Sequence, residues 1–183
     1  MTTIKKMVID ACIARSPGES IHPHSRMCRD FLSIFRERNH ILVMTKEIRQ
    51  EWDKHMSRFT RSWLVSMISR NQLMFINDTE NAELRTLLNN CSNETGHVHA
   101  MIKDIHLVEA SVKTDEIIIS KDDKARYHFA LEANGIAQLA NITWVNPTNE
   151  LEDSLLWLEK DCPEQHERKL SYIDTGKLIA ATK

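Results

Sequence analysis

A chain of 183 residues, 42% hydrophobic and 27% charged, can bury one full core. Four Gly and four Pro exclude collagen-like, linker-rich and low-complexity chains. A formal net charge of −2 excludes a general attraction for polyanions, so nucleic acid would have to be met by local basic faces and metal ions.

Met7-Val8-Ile9 is a short apolar run closed by Asp10, the pattern of a buried strand. It is too short for the apolar core of a secretion signal, and no run approaches the length of a membrane span. Residues 16–25 contain Pro17, Gly18 and Pro23 and read as a loop. Met27, Phe31, Ile34 and Phe35 then recur at helical spacing over 26–38. A second strand is predicted at 41–44. Thr45 is placed to cap a helix over 46–55, and another helix covers 60–70.

Residues 73–76 read as an extra short strand, and 89–96 as a polar turn. Val98, Met101, Ile102, Ile105, Val108 and Val112 mark one face of a helix over 97–112. The strongest strand signal is 116–120, with three consecutive isoleucines, followed by Lys121-Asp122-Asp123 and a helix to about residue 134. A last strand at 142–145 stops at Asn146-Pro147. A final helix over 150–161 would place Leu151, Leu155 and Leu158 on one face, ahead of a polar tail.

Alternating strands and helices predict an α/β fold, with a parallel sheet of four to five strands covered on both faces. Ligands bind such sheets at the carboxyl ends of the strands, and several acids gather there. Asp10 and Asp122 each follow an apolar strand. Glu47 and Glu51 lie four apart on the helix after the second strand, and Asp104 borders the apolar stripe of the helix leading into the isoleucine strand. Oxygen donors of this kind suit a hard divalent cation. Each acid also has an ordinary role open to it. A strand-end Asp serves as a turn or cap residue, Asp122 and Asp123 suit a helix start, and Glu47 suits the positive end of a helix dipole.

Four segments carry these acids: Val8-Ile9-Asp10-Ala11, Thr45-Lys46-Glu47-Ile48-Arg49-Gln50-Glu51, Asp104-Ile105-His106-Leu107-Val108-Glu109-Ala110 and Ile119-Ser120-Lys121-Asp122. Taken in order, they resemble the PIN-domain nuclease family over roughly residues 4–147, including the closing Ile-Thr-Trp-Val-Asn-Pro strand. The resemblance implies a PIN-like three-layer α/β/α nuclease domain over 1–147. Residues 148–183 would be a C-terminal helix and tail that cover an edge or meet a partner.

By the same resemblance the chain would be a Mg²⁺- or Mn²⁺-dependent endonuclease acting on RNA; its apolar runs and scattered cysteines lead us to expect it in the cytoplasm. Asp10, Asp104 and Asp122 are its implied metal ligands, and Glu51 is a fourth catalytic acid that binds metal or positions water. Ser120, Glu47 and Asp123 are secondary candidates. Small members of the family are often toxins, so an antitoxin-like protein or a second copy of the chain joins RNA among the expected partners. The alternative is a catalytically silent PIN-like module that binds RNA or protein. Cys12 stands where family members often carry Ser or Asn, which implies weaker support for the first Asp.

Arg26, Arg29, Lys54 and Arg58 are the candidate phosphate contacts flanking the acids, or else solvated helix faces. Trp52 and Trp63 are base-stacking candidates whose ordinary role is core. His22-Pro23-His24 and His97-Val98-His99 have no cysteine pair or HExxH to complete a zinc site. Gly176-Lys177 lacks the remainder of a P-loop. A haloacid-dehalogenase-type phosphatase would need a second Asp where Cys12 stands. Cys12, Cys28, Cys91 and Cys162 form no CxxC pair and are expected as reduced thiols.

Overall fold

Met7, Val8, Ile9, Leu42, Val43, Met44, Ile118 and Ile119 are all fully buried, as strands covered on both faces require. The computed structural model describes residues 3–18, 21–91 and 95–172. Within them, strands β1 (Lys6–Ile9), β2 (Ile41–Met44), β3 (Leu73–Phe75), β4 (Ile117–Ile119) and β5 (Thr143–Val145) form one parallel sheet. Its order is β3-β2-β1-β4-β5. Val8 is paired with Val43 on one side and Ile118 on the other, so the apolar runs are in register across the centre.

Helices α1 (Ala11–Arg15) and α2 (Pro23–Glu37) join β1 to β2, and α3 (Lys46–His55) and α4 (Arg58–Ser69) join β2 to β3. Helices α5 (Ala82–Cys91) and α6 (Thr95–Val112) lead to β4. Then α7 (Asp123–Glu132) and α8 (Ala137–Ala140) lead to β5, and α9 (Ser154–Glu159) follows it. The chain steps outward from β1 to β3, then crosses back over β1 to β4 and β5. Right-handed crossovers therefore send the two halves to opposite faces. Accordingly α2 packs with α4 and α9, whereas α6 packs with α5 and α7 and lies against β1, β2 and β4. The result is a three-layer α/β/α sandwich.

Local chemistry sets the boundaries. Thr45 accepts from the Ile48 N–H to cap α3, and Ser57 accepts from the Thr60 N–H to cap α4. Asn39 and Asn71 take left-handed φ values of 60° and 56° just beyond α2 and α4. Asn is the non-glycine residue best suited to that place in a chain this poor in glycine. The two tryptophans are core: Trp52 donates to the Ile9 carbonyl at 2.9 Å and Trp63 to the Leu32 carbonyl at 2.6 Å, both essentially inaccessible.

Several local expectations are corrected. The helix predicted over 26–38 begins at Pro23, and α1, α5 and α8 lie in stretches given no helix. Residues 89–91 finish α5 rather than forming a turn, while 92–94 lie outside the described residues. The helix predicted over 150–161 is broken. Residues Glu150–Glu152 form one 3-10 turn, Asp153 sits at φ 42°, and only Ser154–Glu159 is α-helical. Leu151 is therefore 94% exposed instead of sharing a face with buried Leu158. The cause is Glu152, drawn inward by Arg126, Arg168 and the Asn146 N–H. Beyond it, Lys169 bridges Thr143 in antiparallel fashion and the Leu170 N–H donates to the Ile142 carbonyl, covering the free edge of β5. Residues 173–183, including Gly176-Lys177, lie outside the described residues. Among the described residues, no helix is long and apolar enough to cross a membrane.

Candidate functional site

Strands β1 and β4 are neighbours whose connections leave in opposite directions. Such a reversal opens a crevice beyond the strands' carboxyl ends, the usual ligand position in an open α/β sheet. Asp10 is the first residue past β1, and Ser120 to Asp122 are the first past β4. The Asp10 N–H donates to the Ile119 carbonyl at 3.0 Å, which holds the two strand ends together.

Asp10 is held at both oxygens. Oδ1 accepts from the Cys12 N–H at 3.1 Å and caps α1. Oδ2 accepts from the Ser120 hydroxyl at 2.5 Å and from the Cys12 thiol at 3.0 Å. The Ser120 hydroxyl accepts in turn from the Asp122 N–H at 3.1 Å. Asp122 caps α7, its Oδ1 accepting from the Ala125 N–H at 2.8 Å, and it remains exposed. Asp10 and Asp122 thus belong to one hydrogen-bonded unit with Ser120 at its centre.

Cys12 still reaches Asp10, since its thiol donates to the same oxygen as Ser120. Burial, reinforced by the charge of Asp10, pushes the Cys12 pKa far up, so the proton stays on sulfur and is donated. Alkylation should report this. At pH 8, iodoacetamide should modify exposed Cys91 in the folded protein and spare Cys12, Cys28 and Cys162, whereas guanidinium should open all four. Faster labelling of Cys12 than of Cys91 would sink the account of Cys12 as a donor to Asp10.

Asp104 comes from α6. It is half-buried, and only burial and neighbouring charges act on it, with no hydrogen bond among the described residues. Burial above all, with the carboxylates of Asp10 and Asp122 adding to it and Lys103 opposing them, raises its pKa to about 6. Asp104 therefore stands within electrostatic reach of both strand-end acids. Glu51, on α3, is paired with His106 Nε2 at 3.3 Å. The close contact with His106 holds the Glu51 pKa below its usual value. Burial alone would lower that of His106, but Glu51 and Asp104 outweigh it and raise it. His106 lies on α6 two residues beyond Asp104, so α3 and α6 are joined beside the acids.

The other candidates separate. Asp123 starts α7, but its Oδ2 accepts from Asn146 Nδ2 at 2.9 Å and its charge faces Arg126, in the network that holds the C-terminal segment. Glu47 is exposed and lines a different cleft of about 320 Å³, with Arg85, His106 and Glu109. Arg26 pairs with Asp30 at 3.5 Å, and Arg29 donates to the Gly18 carbonyl and to Ser25 Oγ. Arg58 and Arg29 line one cavity together, while Lys54 is exposed in the last turn of α3.

Nearer the acids stand three basic residues that the sequence reading did not select. Arg15, His55 and Lys121 line a cavity of about 550 Å³ with Cys12 and Ser16. Lys121 had a sequence signal, since it lies inside the Ser120-Lys121-Asp122 strand end. Arg15 and His55 are brought in only by the fold.

Comparison of the chain with protein-family models, curated proteins and solved structures returns no match. Among the described residues, no group of three or more His, Cys, Asp or Glu side chains is arranged to hold a metal ion as they stand. The donor chemistry nevertheless fits a hard cation: carboxylates from three different elements feel one another's charge, and among the described residues Asp104 has no hydrogen-bonded partner. Mg²⁺ keeps several waters and needs only one or two carboxylates from the protein.

Proposed function

We propose that the chain is a metal-dependent endonuclease of the PIN kind, with RNA as its substrate. The observation that carries the reading is the union of Asp10 and Asp122 through Ser120 at the strand reversal, with Asp104 within their electrostatic reach. The acid order matches the resemblance drawn from the sequence, and a parallel sheet flanked by helices is compatible with it.

On this reading Asp10, Asp104 and Asp122 hold Mg²⁺ or Mn²⁺. A bound cation would neutralise phosphate charge and supply a water acidic enough to attack phosphorus. Ser120 and Cys12 hold the Asp10 carboxylate in place, since both donate to its Oδ2. Glu51 remains partly exposed beside His106 and can accept a proton from water or orient it. Without a cation the carboxylates would repel one another and the substrate.

Purified protein should cleave single-stranded or structured RNA with Mg²⁺ or Mn²⁺, and EDTA should stop it. Equal cleavage in excess chelator overturns the metal mechanism. A second reading is a PIN-like module that binds RNA or protein without cutting. What favours it is that Asp10 and Asp122 both cap helices, a role that explains an acid without catalysis. Binding of RNA in Mn²⁺ with no cleavage would select it. An antitoxin-like partner or a second copy of the chain is compatible with either reading.

A further inference from the structure

We propose that the cavity lined by Arg15, His55 and Lys121 is a phosphate subsite, which takes a phosphodiester of a single-stranded polynucleotide next to the carboxylate centre. The proposal rests on the nuclease reading for its substrate. Its grounds are the separation of charge across Cys12. On one side of this residue lies Asp10, with Asp104 and Asp122 within electrostatic reach. On the other, Arg15 and Lys121 converge, and among the described residues no carboxylate lines the cavity. In a chain of net charge −2, that is an unusual concentration of positive charge.

The two cations are also available. Lys121 Nζ donates to the neutral Ser16 hydroxyl at 2.6 Å, which orients it without neutralising it. Among the described residues, neither Lys121 nor Arg15 forms a salt bridge with a carboxylate. Arg26, selected from the sequence, is by contrast paired with Asp30.

A polynucleotide suits the surface better than a free phosphate. Ser16 lines the first cavity, and Gly18, two residues on, lines a second of about 590 Å³ with Arg29, Arg58 and Phe59. The short segment from Ser16 to Gly18 thus carries a basic lining from one cavity to the next. Successive phosphates can follow it while a base meets Phe59.

The test is fluorescence anisotropy with a labelled 12-nucleotide single-stranded RNA, and DNA of the same sequence, in EDTA over a salt series. The full chain is compared with Arg15→Met, Lys121→Met and Lys113→Met, and thermal melting confirms that each is folded. Arg15→Met and Lys121→Met should each weaken binding about tenfold and reduce the slope of log affinity against log salt by about 0.7. Lys113→Met, at an exposed position ahead of β4 and so away from the carboxyl ends of the strands, should leave the slope unchanged. Equal losses on RNA and DNA assign the contact to phosphate; a loss on RNA alone assigns it to the 2′-hydroxyl and overturns the phosphate subsite. Wild-type binding with no salt dependence, or both cavity variants binding like wild type, also overturns it. Normal cleavage by the cavity variants with unchanged binding removes the subsite and keeps the nuclease. Absence of cleavage by wild type, with the slope changes intact, removes the nuclease and keeps the subsite.

Discussion

Asp104→Asn should lower Mn²⁺-supported RNA cleavage about 100-fold or more and at the same time make the metal-free domain more stable. The loss follows from removing a proposed metal ligand, since several kcal/mol of transition-state stabilisation depend on the cation. The gain has a separate origin. Burial and the charges of Asp10 and Asp122 hold the Asp104 pKa at about 6, above the ordinary 3.8. The folded state therefore binds this proton more tightly than the unfolded chain does. At pH below about 4 the acid is protonated in both states and carries no penalty. As pH rises to about 6, the unfolded chain releases the proton first, and folding stability is lost.

At pH 7 the full penalty applies, and asparagine removes it. With allowance for partial exposure, the gain is about 1–2 kcal/mol, a rise of a few degrees in Tm. The difference in Tm between variant and wild type should shrink to nothing as pH falls from 7 to 4. A residue needed only for structure would lower activity and Tm together. A variant that loses activity and melts lower at pH 7 therefore defeats both the site and the electrostatic account.

The two strand-end acids were legible in the sequence because each closely follows an apolar run. Met7-Val8-Ile9 and Ile117-Ile118-Ile119 can only be buried strands, and the parallel topology then puts Asp10 and Asp122 at one edge. The relation between the two was not legible. The Cys12 thiol and Ser120 hydroxyl meet at one oxygen of Asp10 only because β1 and β4 are neighbours, 108 residues apart in the chain. His106 was in plain view on an apolar helix, but its partner Glu51 lies on an element that spacing cannot relate to it. Arg15 sits in a helix of five residues, too short to show periodicity. The break at Asp153 escaped because its cause, Arg126 and Arg168 closing on Glu152, is tertiary. Asp10 differs from Asp104: three donors meet its carboxylate, so its neutralisation would disturb a satisfied network and no stability gain is expected there.

Asp122 and Asp123 provide the sharpest separation of roles, because they are adjacent and chemically alike. From the sequence, either acid suits the helix start, and the resemblance gives Asp122 to the metal. The cap belongs to Asp122, which accepts from the Ala125 N–H, and Asp123 is tied to Asn146 and faces Arg126. Asn is as good a cap as Asp, so Asp122→Asn should keep the α7 start and change stability by less than about 1 kcal/mol. Its cleavage rate should still fall about 100-fold, because the amide keeps an acceptor for the cap but loses the charge proposed to hold the cation. Asp122→Ala should lose the same activity and, in addition, about 1 kcal/mol of stability with the cap. Asp123→Asn should cleave RNA at close to the wild-type rate, since its carboxyl serves the Asn146 and Arg126 side of the loop. Cleavage assays and melts on the three variants decide the matter. If Asp123→Asn is the inactive protein and Asp122→Asn the active one, the proposed metal set has the wrong acid at the end of β4.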